Sequence, residues 1–267
     1  MKKTLTAILF STLLFATARA QTAIVPIVEL KLGGLMGGVQ NGKWIAPTLL
    51  APKLKSEMEF VLVGWSGVEE GGVTLGKKGE QEDVCQDFTR FDFELEQENG
   101  VAIGSNAKWN PVPRKPKAID PKNAAYVTIV TNFLKRKGIA RPIVRIKEAF
   151  RVDLEGDGVE ESVLSATYYK NTSTPSAVPG DYSFVMVRTV KGKIVTEHLL
   201  DGEFYLKNMK FGAPNEHHVS AIADLNGDGK MEIVVNGFYY EGGFAGAYEM
   251  KNGKPVTIKE FDIACGV

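Results

Sequence analysis

Asp224-Leu225-Asn226-Gly227-Asp228-Gly229-Lys230-Met231-Glu232 and, 71 residues earlier, Asp153-Leu154-Glu155-Gly156-Asp157-Gly158-Val159-Glu160-Glu161 are one nine-residue pattern occurring twice. In the later copy, side-chain oxygens fall at positions one, three, five and nine, on Asp224, Asn226, Asp228 and Glu232. Glycine at positions four and six lets the backbone coil tightly. Position seven, Lys230, can offer its carbonyl while its ammonium points away. The earlier copy carries Asp153, Glu155, Asp157 and Glu161, with Val159 offering the carbonyl. Such an all-oxygen set suits hard Ca²⁺, which takes six to eight oxygens in flexible geometry. Asp224, Asp228 and Glu232 would repel one another without a cation, because carboxylates sharing a site raise each other's pKa. Glu155 is one methylene longer than the usual Asp or Asn at its position, so the earlier site is expected to be weaker or distorted.

The repetition extends outward from the loops. Tyr168-Tyr169 matches Tyr239-Tyr240 at the same offset, and Lys191-Gly192-Lys193 answers Asn252-Gly253-Lys254 at an offset of 61. The difference of ten residues falls in a Ser/Thr/Pro-rich insertion around Asn171–Gly180. One unit reads as strands Ile143–Arg151, Ser162–Tyr169, Tyr182–Val190 and Ile194–Leu200. The other reads as Val219–Ala223, Glu232–Tyr240, Phe244–Met250 and Val256–Ile263. β-branched and aromatic enrichment between turn signals gives antiparallel strand groups with hairpins at matching places. A self-match at a fixed period points to stacked β units. Neither loop is an EF-hand: its twelfth position, where a bidentate Glu is needed, holds Leu164 or Val235, and the flanks are β-like. The plainer alternative is that both stretches are hairpin turns with surface acids.

DLNGDGKMEIVV and DLEGDGVEESVL resemble the calcium loops of FG-GAP and VCBS repeats of integrin-alpha-like β-propellers. The resemblance covers roughly residues 143–263. It implies structural Ca²⁺ held by Asp224, Asn226, Asp228, Lys230 and Glu232, and by Asp153, Glu155, Asp157, Val159 and Glu161. Phe211-Gly212-Ala213-Pro214 nearly spells the Phe-Gly and Gly-Ala-Pro of the family. There are two departures. No third acidic loop exists, and residues 24–105 do not repeat the pattern, whereas a full propeller needs at least four blades. The expected fold is mainly β, antiparallel strand units with one helix and a partial or atypical β-propeller-like C-terminal region. A compact β domain with two calcium-loop hairpins fits the count equally well.

Upstream, residues 24–105 read as short strands joined by glycine turns, with Gly33-Gly34-Leu35-Met36-Gly37-Gly38 interrupting the first and Gly71-Gly72 turning a later one. These glycines match no phosphate-loop pattern and suit tight turns or close backbone approach. Pro111, Pro113, Pro116 and Pro121 define a solvated linker over 111–121. A helix follows over 122–138, with Asp120 as N-cap, Pro121 in the first turn, Lys135-Arg136-Lys137 at the end and Gly138 as the stop. The organisation is thus 1–20 export signal, 21–110 N-terminal β domain, 111–121 linker, 122–138 helix and 139–267 C-terminal β domain.

The first 20 residues carry Lys2 and Lys3, an apolar run from Leu5 to Phe15, and Ala18-Arg19-Ala20. This is a cleavable secretory pattern; an uncleaved membrane anchor is disfavoured by the shortness of the run. Export to the periplasm or the medium is expected, with no integral membrane segment after cleavage. Cys85 and Cys265, the two cysteines of the chain, then favour one disulfide over two free thiols. The chain holds 32 Lys+Arg and 32 Asp+Glu, and this balance argues against nucleic acid as a partner. His198, His217 and His218 are the only histidines, and no zinc spacing or nucleophile elbow accompanies them. His217 beside Glu216 is the least weak catalytic candidate. Trp44, Trp65 and Trp109 could stack on a sugar or serve as core. The sequence therefore predicts a non-enzymatic, exported, calcium-stabilised interaction or binding protein whose partner is protein or carbohydrate. The alternative is a secreted or periplasmic hydrolase or carbohydrate binder using carboxylates in a β cleft.

Overall fold

The structure, a computed structural model, describes residues 23–65, 67–79, 84–94, 99–171, 175–212 and 214–266. The expected export signal lies outside the described residues, as do Ala213 and part of the Asn171–Gly180 insertion. The fold is mainly β, and every strand pairing among the described residues is antiparallel.

The N-terminal part contains β1 (Val25–Glu29), β2 (Gly34–Gln40), β3 (Lys43–Ile45), the single-turn α1 (Pro47–Leu50), β4 (Glu57–Gly64), β5 (Gly67–Lys78), β6 (Phe91–Phe93) and β7 (Val101–Gly104). They form one seven-stranded sheet in the order β3-β2-β1-β7-β4-β5-β6. The sheet curls until the approach to β6 meets the start of β2. Leu35 donates to the Thr89 carbonyl at 2.8 Å and Phe91 to that of Gly33 at 2.7 Å. Phe60, Leu62, Leu35, Leu50 and Phe91 fill the concave side, with Phe60 edge-on to Phe91 and Phe93.

The glycine run that reads as an interruption is largely β2 itself. A Cβ on Gly37 would stand 2.4 Å from the Ile45 carbonyl, and one on Gly38 2.5 Å from Leu50. Glycine here permits close approach within a tightly curled sheet.

Beyond it come β8 (Lys117–Ala118), α2 (Ala124–Arg136), β9 (Ile146–Val152), β10 (Glu161–Tyr168), β11 (Tyr182–Lys191) and β12 (Ile194–Phe204), then β13 (Glu216–Ala223), β14 (Glu232–Tyr239), β15 (Gly242–Lys251), β16 (Lys254–Thr257) and β17 (Ile263–Gly266). Strands β9–β12 and β13–β16 are two meanders with matching strand order, and each acidic loop joins the first strand to the second. The last expected strand is broken by a 3-10 turn at Lys259–Phe261, which buries Phe261 edge-on to Trp44 at 4.9 Å. The chain then resumes as β17 along the other half of β15.

α2 starts two residues later than expected. Asn123, not Asp120, caps it, accepting from Ala125 at 3.0 Å, while Asp120 accepts from Lys122 in the preceding turn. Side-chain oxygens one turn apart compete for the first free amides, and Asn123 is placed to win.

The layers run curled sheet, β13–β17 sheet, β9–β12 sheet, α2. Val25, Ile27 and Met36 pack against Ala221, Val234 and Ala247. Val219, Ile233 and Val235 pack against Phe150, Val163 and Val187. Val130, Phe133 and Leu134 of α2 cover Leu164, Ala166 and Phe184. The β13–β17 sheet is therefore covered on both faces, which is why Ile233-Val234-Val235 is apolar without alternation. Cys85 and Cys265 form a disulfide with a Cα–Cα distance of 5.6 Å, tying β17 to the curled sheet.

Candidate metal centre

The later loop is built by Gly227 and Gly229, with φ of +76° and +82°, values that L side chains rarely adopt. Between them the chain turns so that its amides converge on Asp224. Oδ1 accepts from Gly227 at 2.7 Å and Oδ2 from Gly229 at 2.9 Å. Asn226 Oδ1 accepts from Asp228 at 2.9 Å, and Asp228 Oδ1 from Lys230 at 2.8 Å. Glu232 Oε2 closes the loop on the Leu225 amide at 2.7 Å. The earlier loop repeats the plan. Asp153 Oδ1 accepts from Gly156 at 2.7 Å, Asp153 Oδ2 from Gly158 at 3.0 Å, and Asp157 Oδ1 from Val159 at 2.9 Å. Glu161 Oε2 takes the Leu154 amide at 3.1 Å.

The copies differ in depth at positions one and three: Asp224 is 2% exposed and Asn226 is buried, whereas Asp153 and Glu155 are half-buried. At the other two positions they agree, with Glu232 and Glu161 buried and Asp228 and Asp157 exposed. Burial, with repulsion from Asp228, Asp224 and Glu249, outweighs the Leu225 hydrogen bond and pushes Glu232 up to about 9. Burial and repulsion from Asp157 and Asp153 push Glu161 up to about 7. Asp224 is also raised, chiefly by burial. Among the described residues no ion pair reaches Asp224, Asp228 or Glu232. Two buried carboxylates without a counter-charge, in an oxygen-only donor set, fit a hard divalent cation. The oxygens nonetheless turn toward the loop's own amides. Among the described residues no group of three or more His, Cys, Asp or Glu side chains is drawn together as a metal cluster.

A third segment holds the two loops side by side. Trp109 Nε1 donates to the Asp224 carbonyl at 2.8 Å, and its ring lies against Gly227, whose Cβ would meet it at 2.9 Å. The Asp224 amide donates to the Pro111 carbonyl at 2.8 Å. Arg114 donates to the carbonyls of Asp153, of Leu154 at 3.2 Å and of Gly229 at 2.7 Å. The Met231 amide donates to the Leu154 carbonyl at 2.9 Å. Sequence reasoning missed Trp109 and Arg114 because their partners are backbone atoms, and a backbone acceptor leaves no mark on residue type.

The two adjacent histidines stand near different carboxylates. His217 is buried against Phe244, with Nε2 3.6 Å from Asp201. His218 stands between Glu148 at 3.7 Å and Glu216 at 3.8 Å, so Glu216 pairs with His218 and not with His217. Adjacent positions on β13 send the two rings to opposite faces. Trp44 and Trp65 pack on Phe261 and Phe150, each at 4.9 Å between ring centroids. A separate open cleft of about 710 Å³ beside the disulfide is lined by Phe88, Tyr239, Phe244, Asp87, Glu260 and Asp262.

Among the described residues no helix is long and apolar enough to cross a membrane. Comparison with protein-family models, with curated proteins and with solved structures finds no match.

Proposed function

We propose that this is an exported β protein whose C-terminal meanders are stabilised by calcium in the Asp224–Glu232 loop, and more weakly in the Asp153–Glu161 loop, and which serves as a binding module and not as an enzyme. The observation that carries the reading is the uncompensated burial of Asp224 and Glu232. Ionised carboxylates at that depth are costly unless a cation is supplied. A bound Ca²⁺ would be a folding ligand, stabilising the form that owns the cage by mass action. The kinship with propeller blades rests on two stacked four-stranded meanders, each with its acidic loop at the same connection. Export supplies both calcium and the oxidising conditions under which Cys85–Cys265 persists.

Thermal unfolding tests this. Asp228→Ala lowers the melting temperature in millimolar calcium and does little in EDTA; equal effects in both would remove the cage assignment. A second reading, carbohydrate binding, is favoured by one feature: the cleft that combines Tyr239 and Phe244 with Asp87, Glu260 and Asp262. Glycan binding lost in Tyr239→Ala and unaffected by EDTA would support it.

A further inference from the structure

The two acidic loops are wired to each other through the backbone that would serve the cation. The Lys230–Met231 peptide belongs to both. Its N–H donates to the Leu154 carbonyl of the earlier loop at 2.9 Å, and its C=O belongs to Lys230, the position-seven ligand of the later loop. The chain contains no cis peptide among the described residues. In a trans peptide N–H and C=O point in opposite directions. Anchoring the N–H on Leu154 therefore aims the Lys230 carbonyl away from the earlier loop, and a hydrogen bond on the N–H polarises that carbonyl further. Leu154 is in turn held by its own loop, since its amide donates to Glu161 Oε2, the position-nine carboxylate, at 3.1 Å. Arg114 closes the circuit: Nη2 donates to Leu154 O at 3.2 Å and to Gly229 O at 2.7 Å, so one guanidinium spans both loops. Its Nε donates to Asp153 O, and the guanidinium lies 4.0 Å from Asp153 Oδ2. A planar fork with five fixed donors suits such a bridge, and a lysine does not.

We propose that Glu161, Leu154, Arg114 and the Lys230–Met231 peptide couple the loops, so that a divalent cation bound at one raises the affinity of the other, with Arg114 as the positioning residue. This rests on the calcium reading above, and goes beyond it by making the pair one cooperative unit. Two ligands that each order a shared set of hydrogen bonds bind with positive coupling, because the second finds the shared part already ordered. The coupling is reciprocal by linkage.

Calcium titration of the full-length exported protein by calorimetry, with amide exchange at Met231 as a second readout, tests the proposal. The wild type binds two ions with a Hill coefficient above one. Asp157→Asn, which touches only the earlier loop, weakens binding at the later one by about fivefold or more. It also speeds Met231 exchange. In an Arg114→Gln background the same Asp157→Asn change leaves the later loop's affinity unaltered, and Arg114→Lys, which keeps the charge but not the fork, behaves as Arg114→Gln. Should the Arg114 variants fail to fold, Met231 exchange in wild type against Asp157→Asn decides the matter. Two-ion binding with Asp157→Asn leaving both the later loop's affinity and Met231 exchange unchanged overturns the coupling alone. Absence of any calcium binding overturns the coupling and the calcium reading together.

Discussion

Replacing Glu232 with glutamine removes an ionisable group and keeps the shape, and under the proposed calcium reading its effect on stability is expected to change sign with calcium. Glu232 is 2% exposed, and without a cation its carboxyl is pushed from 4.5 up to about 9 by burial and by Asp228 and Asp224. A raised carboxyl holds its proton more tightly in the folded state. The fold is then at full stability below pH 4.5, loses stability as pH rises from there, and has lost all of this contribution above the folded value. Each pH unit in that interval costs about 1.4 kcal/mol, so at pH 7, where the folded carboxyl keeps a proton that the unfolded chain releases, the metal-free fold loses about 3 kcal/mol. A glutamine side chain bears no such cost, and its Oε1 can still accept the Leu225 amide. In EDTA at pH 7, Glu232→Gln therefore gains up to about 3 kcal/mol over wild type by urea unfolding, and the gain shrinks as pH falls toward 4.5. In millimolar calcium the order reverses, because glutamine supplies a weaker ligand to a hard cation. A variant that is destabilised equally in EDTA and in calcium, with no dependence on pH, would show that Glu232 is neither electrostatically burdened nor metal-linked.

Two further outcomes follow from the fold. Changing both Cys85 and Cys265 to serine releases a loop of 180 residues. By chain entropy this costs about 5 kcal/mol, read as a lower urea midpoint with little loss of secondary structure; a midpoint equal to that of the oxidised protein would contradict it. Gly37→Ala places a methyl 2.4 Å from the Ile45 carbonyl at φ +143°, whereas Gly42→Ala at φ +70° meets nothing within 4 Å. The first is expected to cost about 3 kcal/mol through overpacking, and the second only the roughly 1 kcal/mol of left-handed backbone. Similar melting temperatures for the two variants would refute the close-approach reading of β2.

What residue type and spacing could report, they reported. The doubled Asp-x-x-Gly-Asp-Gly pattern located two equivalent loops, and the hairpin turns at Gly192 and Gly253 located two equivalent meanders, because turns and strand periodicity are local properties. The pairing of Cys85 with Cys265 was legible because the chain offers those two thiols alone. The glycines of β2 were harder to place, since a glycine that admits a neighbouring strand looks the same in sequence as one that turns the chain. The shift of the α2 cap to Asn123 was a contest between two good caps that spacing could not judge.

The tertiary structure alone decided the rest. It curled seven strands so that residues 89–91 meet 33–35. It buried Asp224 and Asn226, whose counterparts Asp153 and Glu155 stay half-buried. It drew the proline-rich stretch 109–114 across both loops. Each of these depends on contacts between distant residues, most of them through backbone carbonyls and amides that every residue possesses, so no choice of side chain announces them. A sequence records which groups are available; burial and backbone pairing, which set the electrostatic cost of those groups, arise only when remote segments pack together.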